Sequence, residues 1–344
     1  MERRRFDRRE FLRLGGASAG ALLVPGFVSK VFAQSQPFPS RQMDVIIGFS
    51  PGGGTDRSAR VVTPAWEMTL GAPRPFNYVY APGAGTLVAL RRMMSDPRPD
   101  GHAVHFTPIP HTAWIFALQN PGFSLDSIAW VGAYFDDPNV LLVHKDAKWD
   151  RIDQFIDDSM SSDRPLTVSV SSPMSAAHAA TVVLRELTGA NLKVVPFQGG
   201  SEARNAVAGG HVDACMAPYW SALHVFELTK AIGIFTDSNP APHLWQPEPA
   251  NELLGVNLPS LVEPYAVQVH GAVRDRYPDR YEKLVNTLRD AMETPEFRRL
   301  ADQQDLTPFV KYRSPESCEQ FVRDYLRLLA AFRPAMERDL AEMM

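Results

Sequence analysis

The sequence predicts an α/β protein of two lobes with a ligand cleft between them. Three observations lead there. Short apolar, β-branched runs alternate with segments of helical spacing along the chain, which implies sheets of parallel strands covered by helices. Of the five loops that follow strands and bear on a cleft, four are rich in Gly or Ser, and two of these come from each half of the chain. Beyond the N-terminal leader, roughly 310 residues remain, more than one typical core accommodates.

The leader comes first. Arg3, Arg4, Arg5, Arg8, Arg9 and Arg13 form a basic region, and an apolar run of small residues follows from Leu14 to about Val28. Val31-Phe-Ala33 suits a signal peptidase, so residues 1–33 read as an export signal and Gln34 as the mature start. Asp7-Arg-Arg-Glu-Phe-Leu-Arg13 resembles the twin-arginine pattern, which implies a periplasmic destination. Gly16-Ala-Ser-Ala-Gly20 matches a hydrolase elbow, but that elbow must follow a strand in a folded domain and is rejected here.

The first lobe opens with a strand over 43–48, a Gly-rich loop, and a helix over 58–70 with Ala59, Val62, Trp66 and Leu70 on one stripe. Strands over 76–80 and 103–106 flank a helix over 86–94, which Asp96-Pro97 stops. Residues 130–143 hold strand-like runs around Phe135-Asp-Asp-Pro-Asn139, followed by a helix over 152–160. The pattern then repeats: strands over 166–171, 192–196, 212–216 and 231–236, with helices over 176–187 and 202–208 and one starting at 222. A strand over 265–273 and helices over 277–292, 296–304 and 315–335 complete the chain.

Composition narrows the ligand. The chain carries 35 Lys and Arg against 39 Asp and Glu, a net of −4. The leader holds +4 of that balance, so the mature chain stands at about −8. Such a charge disfavours nucleic acid and anionic membrane surfaces. An anionic ligand must then be held by local dipoles. No cofactor motif is present, and His102 and His105, three apart on a strand, point to opposite faces rather than to one metal. Cys215 and Cys318 are the only cysteines, and Cys215, within an apolar run, reads as a buried free thiol.

Pro51-Gly-Gly-Gly-Thr-Asp56 is the most informative stretch. Three glycines let backbone N–H groups approach a ligand, and the helix start behind them favours an anion. No Lys follows Gly54, so this is not a nucleotide-hydrolase loop. Gly52-Gly-Gly-Thr-Asp-Arg57 and Gly83-Ala-Gly-Thr-Leu-Val88 both fail the dinucleotide fingerprint at the last position. An anion site without nucleotide machinery remains, beside the simpler reading of a turn that ends a strand.

Several short motifs occur in order along the mature chain: Pro51-Gly-Gly-Gly-Thr-Asp56, Ala81-Pro-Gly-Ala-Gly85, Pro99-Asp-Gly-His102, Pro138-Asn-Val-Leu-Leu-Val143, Ser171-Ser-Pro-Met-Ser-Ala-Ala-His178, Val195-Pro-Phe-Gln-Gly-Gly200, Gly210-His-Val-Asp213 and Thr294-Pro-Glu-Phe297. In these the chain resembles the TctC/Bug family, the periplasmic solute-binding components of tripartite tricarboxylate transporters. The resemblance implies a type II-like venus-flytrap fold, with residues 34–143 and 265–344 in one lobe and 144–264 in the other. It implies capture of a small carboxylate (mono-, di- or tricarboxylate, aromatic ones included) by a monomer that delivers it to a tripartite membrane permease, and no enzymatic activity.

By the same resemblance, main-chain groups of Ser50, Gly52, Gly53, Gly54 and Thr55, with Ala81, Gly83, Ala84 and Gly85, hold one carboxylate. The second lobe's share falls on Ser171, Ser172 and His178, on Gln198, Gly199, Gly200 and Ser201, and on Ala217 and Tyr219. The chain departs from the family pattern at Thr86, where a Gly is usual, and in Thr107-Pro-Ile-Pro-His-Thr112, which adds His111.

Read individually, Phe49 closes one wall, and Asp56 is a ligand-side residue or a cap that orders the loop. His178 donates to a carboxylate or caps its helix. Tyr219 and Trp220 stack on a ligand or pack. Arg57 and Arg204 pair with a distal ligand charge or lie solvated on the surface. Two alternatives stay open: an exported enzyme acting on a carboxylate, for which His178 with Asp213 or Asp56 is the best set available, and a binding subunit that feeds a sensor kinase.

Overall fold

The computed structural model describes residues 37–343, so the export signal expected over 1–33 lies outside the described residues. Residues from Phe38 onward form one compact unit.

β1 (Asp44–Ile47) is buried on both faces and ends at the glycine loop. α1 (Gly54–Leu70) begins four residues earlier than the spacing predicts and stops at Gly71, whose left-handed φ of 70° lets its N–H reach back to Met68. β2 (Asn77–Tyr80), α2 (Leu87–Met94) and β3 (Ala103–Pro108) follow as predicted, within a few residues. α3 (Ile109–Leu118) is not among the helices expected; Pro110 sits in its first turn, where its missing N–H costs nothing.

β4 (Ile128–His144) is one strand of 17 residues rather than two runs around a loop. α4 (Ile152–Ser161), β5 (Leu166–Val170), α5 (Ala176–Thr188), β6 (Leu192–Pro196) and α6 (Gly200–Ala208) match the second predicted set. β7 (Ala214–Pro218) runs into the short α7 (Tyr219–Ala222), then β8 (Thr229–Ile234) and α8 (Ala250–Leu254). β9 (Val262–His270) precedes α9 (Gly271–Arg276), α10 (Pro278–Met292), α11 (Pro295–Gln303), β10 (Val310–Arg313), α12 (Pro315–Ala331) and α13 (Arg333–Glu342). The expected final helix is thus two.

The sheets are mixed, which corrects the expectation of parallel ones. In the first lobe the order is β2-β1-β3-β9, with β1 parallel to β2 and β3 but β3 antiparallel to β9. The second repeats it as β6-β5-β7-β4, with β7 antiparallel to β4. The antiparallel members are the strands that pass between the lobes. β4 pairs β9 as far as Pro138↔Val262, and from Asn139 onward it pairs β7 along one edge and β8 along the other. In each lobe the parallel trio changes direction of progression at its central strand, and ligand sites form beyond the carboxyl ends of strands at such a point. Cys215 and Cys318 are free thiols buried in separate core clusters.

Candidate functional site

α1 directs its N-terminus into a cleft, capped only by the backbone of Gly53. From the other lobe α6 does the same, behind Gly199. First-turn N–H groups have no partner within a helix, so two sets of donors and two positive dipole ends converge. α7 makes the contrast: Asp137 accepts from Trp220 N at 2.7 Å, Ser221 N at 3.0 Å and Ser221 Oγ at 2.8 Å. That helix start already holds an internal carboxylate.

Between the lobes lies a cavity of about 440 Å³. Phe49, Ser50, Gly53, Gly54 and Thr55 line it, with Gly83, Ala84 and Gly85 beside them. Ser171, Ser172, Gln198, Gly199, Gly200 and Ser201 line it from the second lobe. The second-lobe loop is closely backed: a Cβ on Gly200 would stand 2.6 Å from Arg204 Nη1. On the other side, a Cβ on Gly54 would meet Ser221 Oγ at 2.5 Å and the Tyr265 hydroxyl at 3.0 Å. The stretch from Gly83 to Thr86 has positive φ throughout, including Ala84 at 47° and Thr86 at 78°. Glycine suits such a conformation, so the Thr at 86 is held there by its surroundings.

Other expected residues do not reach the cavity, each for a visible reason. Gly52 N donates to Asp56 Oδ2 at 2.8 Å, and Asp56 also binds Arg60 and the Tyr80 hydroxyl. Asp56 therefore orders the loop from inside α1 instead of touching a ligand or capping the helix. Ala81 N extends the β1–β2 ladder by donating to Ile47 O. Ala217 is buried in β7 opposite Val140. The Tyr219 hydroxyl bonds Ala241 O and Trp245 O, fixing a long loop in the core.

His178 is buried under α13. Its ring stacks on Trp114, Nδ1 accepts from Met174 N, and Nε2 lies 3.4 Å from Asp339 Oδ2 without hydrogen-bond alignment. Asp213 is engaged by Arg164 and Thr167. The best enzyme set is therefore spread over three unconnected networks.

The cavity also holds groups that were missed or misjudged. Arg204 is 5% exposed, not solvated, and Nε has no hydrogen-bond partner. It forms no ion pair among the described residues, and burial pushes its pKa down. Its position five residues after Gly199, on the inner turn of α6, was the available signal. Arg57 instead stacks on the Trp220 ring, 4.4 Å from its centroid. His111 is 3% exposed, with neither ring nitrogen partnered, and packs edge-on to Phe49 at 5.1 Å. Burial pushes its pKa down to about 4, so the ring is neutral. Glu263, Tyr265 and Ser221 close the floor, and Glu202 lies at the rim.

With this geometry in view, comparison with known proteins is direct. Residues 59–330 match the family described as the tripartite tricarboxylate transporter family receptor. The chain belongs to this receptor family. A Cupriavidus necator protein, "UPF0065 protein in gbd 5'region", is 23% identical over 331 residues, 95% of each chain. Protein BugT of Bordetella pertussis is 26% identical over 196 residues, 56% of this chain and 59% of BugT. MatC from Rhodopseudomonas palustris, solved with malate, superposes with a TM-score of 0.73 at 21% identity, covering 87% of this chain and all of MatC. An R. palustris protein solved with adipate gives 0.76 at 18%, covering 87% and 98%. These likenesses establish the receptor's two-lobed fold. The family and its structural neighbours are binding proteins rather than enzymes.

Proposed function

We propose that the chain is an exported periplasmic receptor that captures a small carboxylate between its lobes and delivers it, as a monomer, to a tripartite-type permease. The observation that carries this reading is Arg204, a buried guanidinium that forms no ion pair among the described residues, beside a cavity where two helix N-termini meet. A buried cation without a partner is costly, and an anionic ligand removes that cost. Malate and adipate in the neighbouring structures support the carboxylate class. Among the described residues no helix is long and apolar enough to cross a membrane, which suits a receptor that needs a separate permease.

In this reading the lobes are 34–143 with 265–344, and 144–264, joined by the crossings on β4 and β9. The sheet changeover near Pro138 and Val262 supports boundaries close to these. Closure is a hinge motion about the two strands.

A thermal-shift screen against carboxylates tests the reading, since a ligand that binds only the folded chain raises Tm. Arg204→Gln should cut affinity by about 30–100-fold, the worth of roughly one charged hydrogen-bonded contact. The apo Tm should hold or rise. Unchanged affinity in the variant, or no shift with any carboxylate, would overturn the reading.

A further inference from the structure

β9 brings Glu263 directly opposite Asp137 on β4. Opposed residues in an antiparallel pair share a face, and like charges so placed repel. Here that face is the floor of the cavity. The two acids differ in what holds them. Asp137 accepts three hydrogen bonds from α7, as described above. Glu263 is 3% exposed, lines the cavity, and accepts none among the described residues. Two adjacent buried carboxyls resolve their repulsion by keeping one protonated. Asp137, with donors aimed at it, is the one suited to carry charge. Glu263 lines the cavity and can donate into it.

We propose that Glu263 is a specificity-determining residue that meets the ligand as a neutral carboxyl and donates its hydrogen to the captured carboxylate, so that anion and proton are taken up together. This rests on the carboxylate reading of the same cleft. Arg204 supplies charge there, and Glu263 supplies a donor that a charged carboxylate would turn into a repulsive acceptor.

The groups facing Glu263 can be followed element by element. Asp137 on β4 pushes it up and Arg204 on α6 pulls it down. Burial is the largest cause, acts with Asp137 against Arg204, and pushes the pKa up to about 8. Tyr265 on the same strand and Tyr325 on α12 are driven up, by burial first and by Glu263 next. Asp137 stands at about 6 through burial, His111 on α3 at about 4, and Arg57 on α1 remains a cation. Between about pH 7 and about pH 9.5, Glu263 is the one of these groups that changes charge, and simple dicarboxylates stay fully ionised.

Calorimetric titration of the chain with malate, adipate and succinate across that range provides the test. Expected is an affinity that falls toward about tenfold per unit above pH 8, because binding must reload the proton. Glu263→Gln keeps a donor and cannot ionise, so its affinity should be flat and, near pH 9, about tenfold tighter than wild type. Titrations in buffers of different ionisation enthalpy should show proton uptake near pH 9 in wild type and none in the variant. The wild-type proton count decides the matter even if the variant fails to fold. Binding with flat affinity and no proton uptake overturns the role of Glu263 and leaves the carboxylate reading standing. Failure of all three acids to bind at any pH overturns both.

Discussion

His111 illustrates what a binding residue costs. A neutral imidazole buried with neither nitrogen paired sacrifices about 1–3 kcal/mol relative to a satisfied one. Among the described residues neither nitrogen finds a partner, which fits a side chain kept for a ligand with a polar group near its carboxylate. His111→Leu should therefore raise stability by about 1 kcal/mol while lowering affinity for hydroxylated carboxylates more than for plain ones. Thermal melts and calorimetry on malate against succinate check both signs. From sequence, the added histidine was visible but its orientation was not, because α3 went unpredicted. Arg204 was noticed but left open between a ligand charge and a solvated surface for a similar reason: helical spacing says which residues share a stripe, but not which stripe a second lobe will cover.

At the level of elements, the start of α1 separates helix stability from ligand capture. Gly53 is the N-cap, with φ of −71°, a value any residue adopts. A Cβ there would meet only Ser50 O, at 3.4 Å. Aspartate is a favoured N-cap, so Gly53→Asp should keep or slightly raise stability, by about a few tenths of a kcal/mol in thermal melts. The same carboxylate would occupy the dipole end meant for the ligand, and carboxylate binding should drop by at least about a hundredfold. Retained affinity would show that the glycine loop is not the anion cradle. The loop and the helix behind it were legible because glycine clusters and 3.6-residue spacing are local signals. That β4 is continuous was not, since Asp136-Asp-Pro-Asn139 has turn composition, and it is held extended by pairing with β9 up to Pro138 and with β7 from Asn139. The mixed sheets escaped detection similarly, because strand direction depends on partners far away in sequence.

For the molecule as a whole, the two floor acids set how stability varies with pH. Glu263 and Asp137 both have folded pKa values above the ordinary carboxyl range, at about 8 and about 6, chiefly through burial. The folded state therefore binds more protons than the unfolded one over that window. Their contribution is fully present below the ordinary carboxyl pKa and is lost as pH rises through the folded values. Unliganded chain should lose up to about 1.4 kcal/mol per pH unit for each group held protonated, with the loss levelling off above about pH 8. Glu263→Gln should flatten the upper part of that slope in chemical denaturation, and an unchanged slope would place the proton elsewhere. The two-lobed plan itself was readable from the repeated order of strands and glycine loops, whereas the acid pair was not, since its members lie 126 positions apart and meet only through strand register. That register has a further consequence. Because β4 completes both sheets, cutting the chain between the lobes leaves one half with a bare edge of unpaired N–H and C=O groups. The lobe left without β4 should not stay soluble when expressed alone, and any homologous recombination that respects this fold must exchange β4 and β9 together.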